Sequence, residues 1–301
     1  MQHNLPKVYT YRIIILVMRS SDVYKWCWTR LPLAFFPQFC YHVPMSDIIL
    51  ENPALEQQEV VDAELEQMAK AGVHFGHAKT KNHPAMAPYI FGMRNTVSIL
   101  DLVKTKTHLH IALQFLHDTA AKGGIILLVG TKPSARKLIL EMATRTSMPY
   151  FVERWIGGTL TNFKVIAKRV EYMETLEQEK ATGELEKYTK REQLKKGEEV
   201  SRLKKFFNGL RRLKKLPDAL FVADVTHDTT AIREAKRLRI PVVALVDTNS
   251  DPRGIDFPIP ANDDALPALR YMLGRIGAAI TEGERQQETH QDKNAAQVLP
   301  T

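Results

Sequence analysis

Apolar residues along this chain recur at two spacings, and the spacing marks out the elements. Residues 57–71 (QQEVVDAELEQMAKA) place Val60, Val61, Leu65 and Met68 on one helical face, with Gly72 as the stop. His74–Pro88, rich in His, Lys and Pro, reads as a loop. Tyr89–Leu102 reads as two short strands about Gly92-Met93-Arg94-Asn95, and Lys106–Ala121 as a second amphipathic helix. Gly124–Val129 (GIILLV) is apolar throughout and leads through Gly130-Thr131-Lys132-Pro133-Ser134 into a helix ending near Thr146. A wholly apolar strand feeding a helix predicts a parallel sheet covered on both faces. The unit recurs as strand Asp218–Ala223, helix Asp228–Leu238 and strand Ile240–Val246, then a short strand at Pro258–Ile259 and a closing helix Asp263–Ile280. The expected fold is α/β, a three-layer α/β/α sandwich.

A different rhythm interrupts this sandwich. Ile166, Val170, Met173 and Leu176 are spaced 4-3-3, and Val200, Leu203, Phe207, Leu210 and Leu213 are spaced 3-4-3-3. Thr182-Gly183 breaks the two runs. Two heptad-like stripes around a turn predict an antiparallel coiled-coil helical hairpin, each helix covering the other's apolar side. The division is therefore 45–161 and 217–280 for the two parts of the α/β domain, and 162–216 for the hairpin. The polar stretch 281–301 is expected to be a disordered tail.

Composition adds limits. A hydrophobic share of 44% is enough for a sizeable core and excludes a disordered polymer. Both cysteines, Cys27 and Cys40, precede Met45, which removes disulfides, thiolate metal sites and a cysteine nucleophile from the main domain. Residues 1–44 form an extension with Trp26, Trp28 and a single acid, Asp22; the run Ile13–Met18 is too short for a membrane span of about 20 residues. Met45 is the expected start of translation, a transit segment being the alternative. The formal net charge of +8 favours a polyanionic partner, nucleic acid or an anionic membrane.

Several groups invite chemistry. The Val129–Ser134 turn resembles a phosphate loop but has neither GxGxxG nor GxxxxGK[ST], so an ordinary strand-to-helix turn is the better reading. His74, His77 and His83 suggest a metal cluster but lack an obvious third or fourth ligand type. Asp224 and Asp247 follow successive strands, where α/β enzymes place acids, and Asp247-Thr248-Asn249 with Asp251 offer oxygens for Mg²⁺; capping of the next loop or helix is the plainer role. No GxSxG elbow is present. The cations are more telling. Lys195, Lys196, Arg202, Lys204, Lys205, Arg211, Arg212, Lys214 and Lys215 crowd the second arm, while Glu171, Glu174, Glu177 and Glu179 make the first arm acidic. Arg154 and Trp155 precede Gly157-Gly158, whose amides are expected to approach a sugar–phosphate backbone.

Seven stretches in order carry a resemblance. Ala71–His77 (AGVHFGH), Pro88–Asn95 (PYIFGMRN), Leu128–Lys132 (LVGTK), Arg154–Phe163 (RWIGGTLTNF), Leu216–Val222 (LPDALFV), Ile240–Pro252 (IPVVALVDTNSDP) and Ile255–Asp264 (IDFPIPANDD) resemble the family of small ribosomal subunit protein two, S-two, of bacterial or organellar type. The resemblance implies a flavodoxin-like domain with a protruding hairpin. It implies a structural constituent of the small ribosomal subunit that binds rRNA, without catalytic residues or a required cofactor. Ribosomal proteins S-one (whose docking it supports), S-three, S-five and S-eight are the implied partners, on a cytoplasmic or organellar ribosome. Two departures stand out. Lys81-Asn82-His83-Pro84-Ala85-Met86 lacks the family's Trp and its Lys after Pro, and Arg239 replaces a glycine before the Ile-Pro-Val strand, a helix C-terminal position. From position and charge the expected rRNA contacts are Arg94, Lys104, Lys132, Arg136, Arg154, Lys164, Lys168 and Arg169, with Arg202, Lys204, Lys205, Arg211 and Arg212 on the basic arm. Their affinity for phosphates should fall steeply with salt.

Overall fold

The computed structural model of the chain describes residues 63–183 and 187–297. The extension 1–44, and with it the question of a start at Met45, lies outside the described residues. The expected first helix is seen from residue 63 to 70 (α1).

Five strands form a parallel sheet: β4 (Ile126–Val129), β5 (Tyr150–Phe151), β6 (Ala219–Val222), β7 (Val242–Val246) and β8 (Phe257–Pro260). Their spatial order is β5-β4-β6-β7-β8. Counted within this sheet that is 2-1-3-4-5, the flavodoxin-like order. Pro258 and Pro260 are tolerated because β8 is an edge strand. The two-residue period of β4, β6 and β7 sorts their buried side chains to opposite faces. Ile126, Leu128, Phe221, Val243 and Leu245 join helices α2 (Leu102–Ala121), α3 (Pro133–Arg145) and α7 (Leu266–Gln297) in one core. Leu127, Val129, Leu220, Val222, Val242, Ala244 and Val246 join α6 (Thr229–Arg237) and the hairpin in the other.

The hairpin consists of α4 (Phe163–Ala181) and α5 (Lys190–Phe207). Ile166, Val170, Met173 and Leu176 are buried against Val200, Leu203 and Phe207, which is the stripe-to-stripe packing their spacing predicts. Thr189 and Glu192 form a reciprocal capping box that starts α5 sharply.

Several expectations are corrected. The loop expected at His74–Pro88 contains β1 (Phe75–Ala78), which pairs antiparallel with β3 (Val97–Leu100); β2 (Ile90–Arg94) lies on the other side of β3. The β2–β3 turn is Asn95-Thr96, both at positive φ (49° and 68°), two residues beyond the expected centre. Strand β5 was too short to stand out at two residues. Helix α2 begins at Leu102 rather than Lys106, because the Asp101 carboxylate accepts from the Val103 and Lys104 amides. Finally, the expected disordered tail is helical through Gln297. Gly283 explains the continuation: a Cβ there would lie 2.5 Å from the His117 carbonyl oxygen, so its absence lets α7 run on along α2.

Candidate nucleic-acid interface

Strands β4, β6 and β7 all end at the carboxyl edge of the sheet, in Thr131-Lys132, Asp224 and Asp247 respectively. After β8, Asn262 accepts from the Asp264 and Ala265 amides, which turns the chain and brings Asp263 and Asp264 to the same edge. Lys132 Nζ lies 3.1 Å from Asp224, 2.7 Å from Asp263 and 2.6 Å from Asp264. Burial works against its charge, but the hydrogen bonds to Asp263 and Asp264 hold its pKa above the ordinary lysine value. Burial, with Asp224 and Asp247 close by, pushes Asp263 up to about 7. Burial likewise pushes Asp228 up to about 6 although it accepts from the Thr131 amide and hydroxyl. Three carboxylates thus meet one lysine, and Lys132 is expected to have little left to offer an RNA phosphate. The sequence reading counted this cation among the rRNA contacts; its ammonium faces these carboxylates.

His77 enters the cluster from β1. Its Nδ1 is 3.1 Å from Asp247 and its Nε2 3.2 Å from Asp264, and its amide donates to Thr248 Oγ1 at 2.8 Å. The hydrogen bond to Asp247, more than offsetting burial, raises its pKa. One ligand atom from each of His77, Asp247 and Asp264 lies within 4.8 Å of the others, so these three could hold a divalent cation. Asp263 adds a buried Oδ2 with no hydrogen-bond partner. His74 and His83, the other expected members, stay apart. His74 lies against Phe75 with the rings tilted by 39°, and His83 accepts from the Ala85 amide. Asp251 instead pairs with Arg253, whose hydrogen bonds hold it down at about 2.

The remaining expected contacts divide by position. Arg94 ends β2 and is exposed. Lys104 lies 3.6 Å from Asp101, and Arg136 lies 3.3 Å from Glu153 and donates to the Thr131 carbonyl. On the hairpin, Lys204 and Arg211 are 2.8 and 2.7 Å from Glu177, and Lys196 is 3.3 Å from Glu179. The acidic arm therefore neutralises the inward side of the basic arm. Lys164, Lys168 and Arg169 on α4 and Arg202, Lys205 and Arg212 on or after α5 are exposed and make no ion pair among the described residues. Arg154 is exposed at the hairpin's root.

That root is organised by a residue the sequence reading passed over. Glu234, 8% exposed, accepts from Trp155 Nε1 (3.1 Å), the amides of Gly158 (2.8 Å), Leu160 (3.0 Å) and Thr161 (3.1 Å), and Thr161 Oγ1 (3.2 Å). Burial opposes its charge, but these donors hold its pKa below the ordinary value. The Gly158 amide expected to meet a sugar–phosphate backbone is therefore already used within the protein. The available signal was a carboxylate on the apolar face of α6, flanked by buried Ala231, Ile232 and Ala235.

A family model described as ribosomal protein S2 matches residues 68–283. The chain belongs to the ribosomal protein S2 family. Curated relatives include the small ribosomal subunit protein uS2 of Roseiflexus castenholzii, 45% identical over 224 residues, covering 74% of this chain and 85% of that protein. The uS2 of Thermus thermophilus is 46% identical over 215 residues, covering 71% of this chain and 84% of the relative. That of Chloroflexus aurantiacus is 42% identical over 228 residues, covering 76% and 96%. The S2 family is structural and not enzymatic, which accords with the self-neutralised carboxyl edge. No helix among the described residues is long and apolar enough to cross a membrane.

Proposed function

We propose that this S2-family chain is a structural constituent of the small ribosomal subunit and binds rRNA by backbone contacts. The observation that carries the reading is the family match together with the outward set Arg154, Lys164, Lys168, Arg169, Arg202, Lys205 and Arg212, which the acidic arm leaves unpaired. Distributed cations suit the phosphate-lined surface of A-form RNA better than a pocket does. Arg94 and Lys104, near the antiparallel sheet, add a second patch to the same reading. Docking of ribosomal protein S-one and contact with S-three, S-five and S-eight belong to it as well. Sedimentation of the tagged chain from its host, with and without nuclease, tests it. Nuclease-sensitive migration with small subunits and ribosomes is expected, and cross-linking in those fractions identifies the protein neighbours. A chain remaining at the top of the gradient would overturn the reading.

A further inference from the structure

We infer that Glu234 is the positioning residue of the hairpin interface: it fixes the 155–161 loop, and through it the direction in which α4 presents Lys164, Lys168 and Arg169. The inference rests on the RNA-binding reading above and adds a mechanism to it. Trp155 and Leu160 anchor the loop in the core by burial, and its other contacts lie close by. Trp155 packs on Phe151 with ring centroids 5.0 Å apart, Thr159 donates to the Ile156 carbonyl at 2.6 Å, and Gly158 sits at φ +91°. Those contacts are local. Glu234 alone ties the loop's indole, three amides and a hydroxyl to α6, which is itself packed on the sheet through Ala231, Ile232 and Ala235.

Both carboxylate oxygens are occupied. Oε1 takes the Trp155 and Gly158 donors, and Oε2 takes those of Leu160 and Thr161. An ionised carboxylate has only acceptor sites, so it suits five converging donors. A glutamine would aim an NH2 group at some of them. One residue after Thr161, Asn162 precedes α4, so the loop sets where the first turn of the helix begins, while packing on α5 holds the rest. Lys164 lies in the first turn of α4, and Lys168 and Arg169 in the second. Modest changes in loop direction therefore shift the start of α4, which carries these cations, relative to Arg154 and the α/β domain.

Filter binding of the full chain to a small-subunit rRNA transcript over a salt series tests this. Glu234→Gln is expected to weaken binding about tenfold and to lower the salt slope by about two. In a chain already carrying Lys164→Ala, Lys168→Ala and Arg169→Ala, the same change is expected to cost less than about twofold, because coupled sites are not additive. A merely structural role would reduce binding equally in both backgrounds and would overturn the inference. Should Glu234→Gln fail to fold, Glu234→Asp and Trp155→Phe replace it with the same expected background dependence. A wild-type chain that ignores the transcript would overturn both this and the RNA reading. Binding that needs the three cations but is indifferent to Glu234 would overturn only the positioning role.

Discussion

The carboxyl edge of the sheet and the helical hairpin are both rich in charge, yet they treat it in opposite ways. At the edge, Lys132 and His77 are drawn into Asp224, Asp247, Asp263 and Asp264, with Lys132 and His77 mostly covered. On the hairpin, Glu177 and Glu179 engage Lys196, Lys204 and Arg211, while the other basic residues face solvent. A buried ion cluster is sensitive to loss of one member, because the partner charges are left without compensation. An exposed stripe contributes little to stability and much to association with a polyanion. The same residue type thus stabilises the fold in one region and serves binding in the other.

The largest effect expected from this contrast is at Lys132. Lys132→Met should destabilise the chain by about 3 kcal/mol or more, because Asp224, Asp263 and Asp264 lose a shared cation. Urea unfolding followed by circular dichroism measures it. The rRNA affinity of the folded fraction should hardly change. A stable variant with weakened RNA binding would place Lys132 with the hairpin cations instead.

On the hairpin the pattern should invert. Arg202→Ala combined with Lys205→Ala is expected to leave stability within about 0.5 kcal/mol and to lower the salt slope of rRNA binding by about two. Lys204→Ala, whose ammonium lies 2.8 Å from Glu177, is the control and should change the slope less. Equal slopes for the two variants would break the division into inward and outward cations.

How far sequence could have drawn this division follows from its range. The parallel sheet and the hairpin were legible because continuous apolar strands and 3-4 spacings are local signals. The extra strand β1 was not, because His74, Gly76 and Lys79 do not alternate, and β1 forms only by pairing with Val97–Leu100. Asp263 and Asp264 stood inside a quoted motif, yet their link to Lys132 spans more than a hundred residues and depends on the turn at Asn262. The hairpin charges were legible in number but not in direction. Glu177 lies 34 residues before Arg211, and only the packed helices show that the two meet.

The pH response should sharpen the contrast further. In the folded chain Asp263 keeps its proton up to about pH 7, whereas in the unfolded chain it ionises near the ordinary 3.8. Between those values the folded state binds more protons, so stability falls as pH rises through the window. His77, raised above 6.5, acts in the same direction at its upper end. Glu234 and Asp264, both lowered, oppose this only as pH falls below their ordinary values of 4.5 and 3.8. Unfolding in EDTA-containing buffer, so that no cation occupies the His77 cluster, should show stability declining from pH 5 to pH 8. Asp263→Asn, whose Oδ1 can still accept from Lys132, should reduce that decline by about 1 kcal/mol or more. The hairpin variant with Arg202→Ala and Lys205→Ala should retain the wild-type decline. An Asp263→Asn profile as steep as the wild type's would show that Asp263 is ionised throughout.

The smallest effect concerns a backbone rather than a charge. Arg239 follows α6 at φ +57°, and the Arg239 amide donates to the Lys236 carbonyl at 3.0 Å, closing the helix before the chain enters β7 at Val242. A side chain in this left-handed region costs about 1–2 kcal/mol. Glycine avoids that cost but loses about 0.5–1 kcal/mol through the greater freedom of the unfolded chain. Arg239→Gly should therefore stabilise the protein by about 0.5–1 kcal/mol, seen as a higher urea midpoint with unchanged slope. Arg239→Ala separates the two contributions, since it keeps the Cβ and discards the rest of the side chain with its charge. If alanine stabilised as much as glycine, the guanidinium and its basic neighbours Lys236 and Arg237 would be responsible, and the positive φ would cost nothing measurable. If only glycine stabilised, the backbone at the end of α6 would be the source, and the charge of this exposed cation would be immaterial to the fold, as on the outer face of the hairpin.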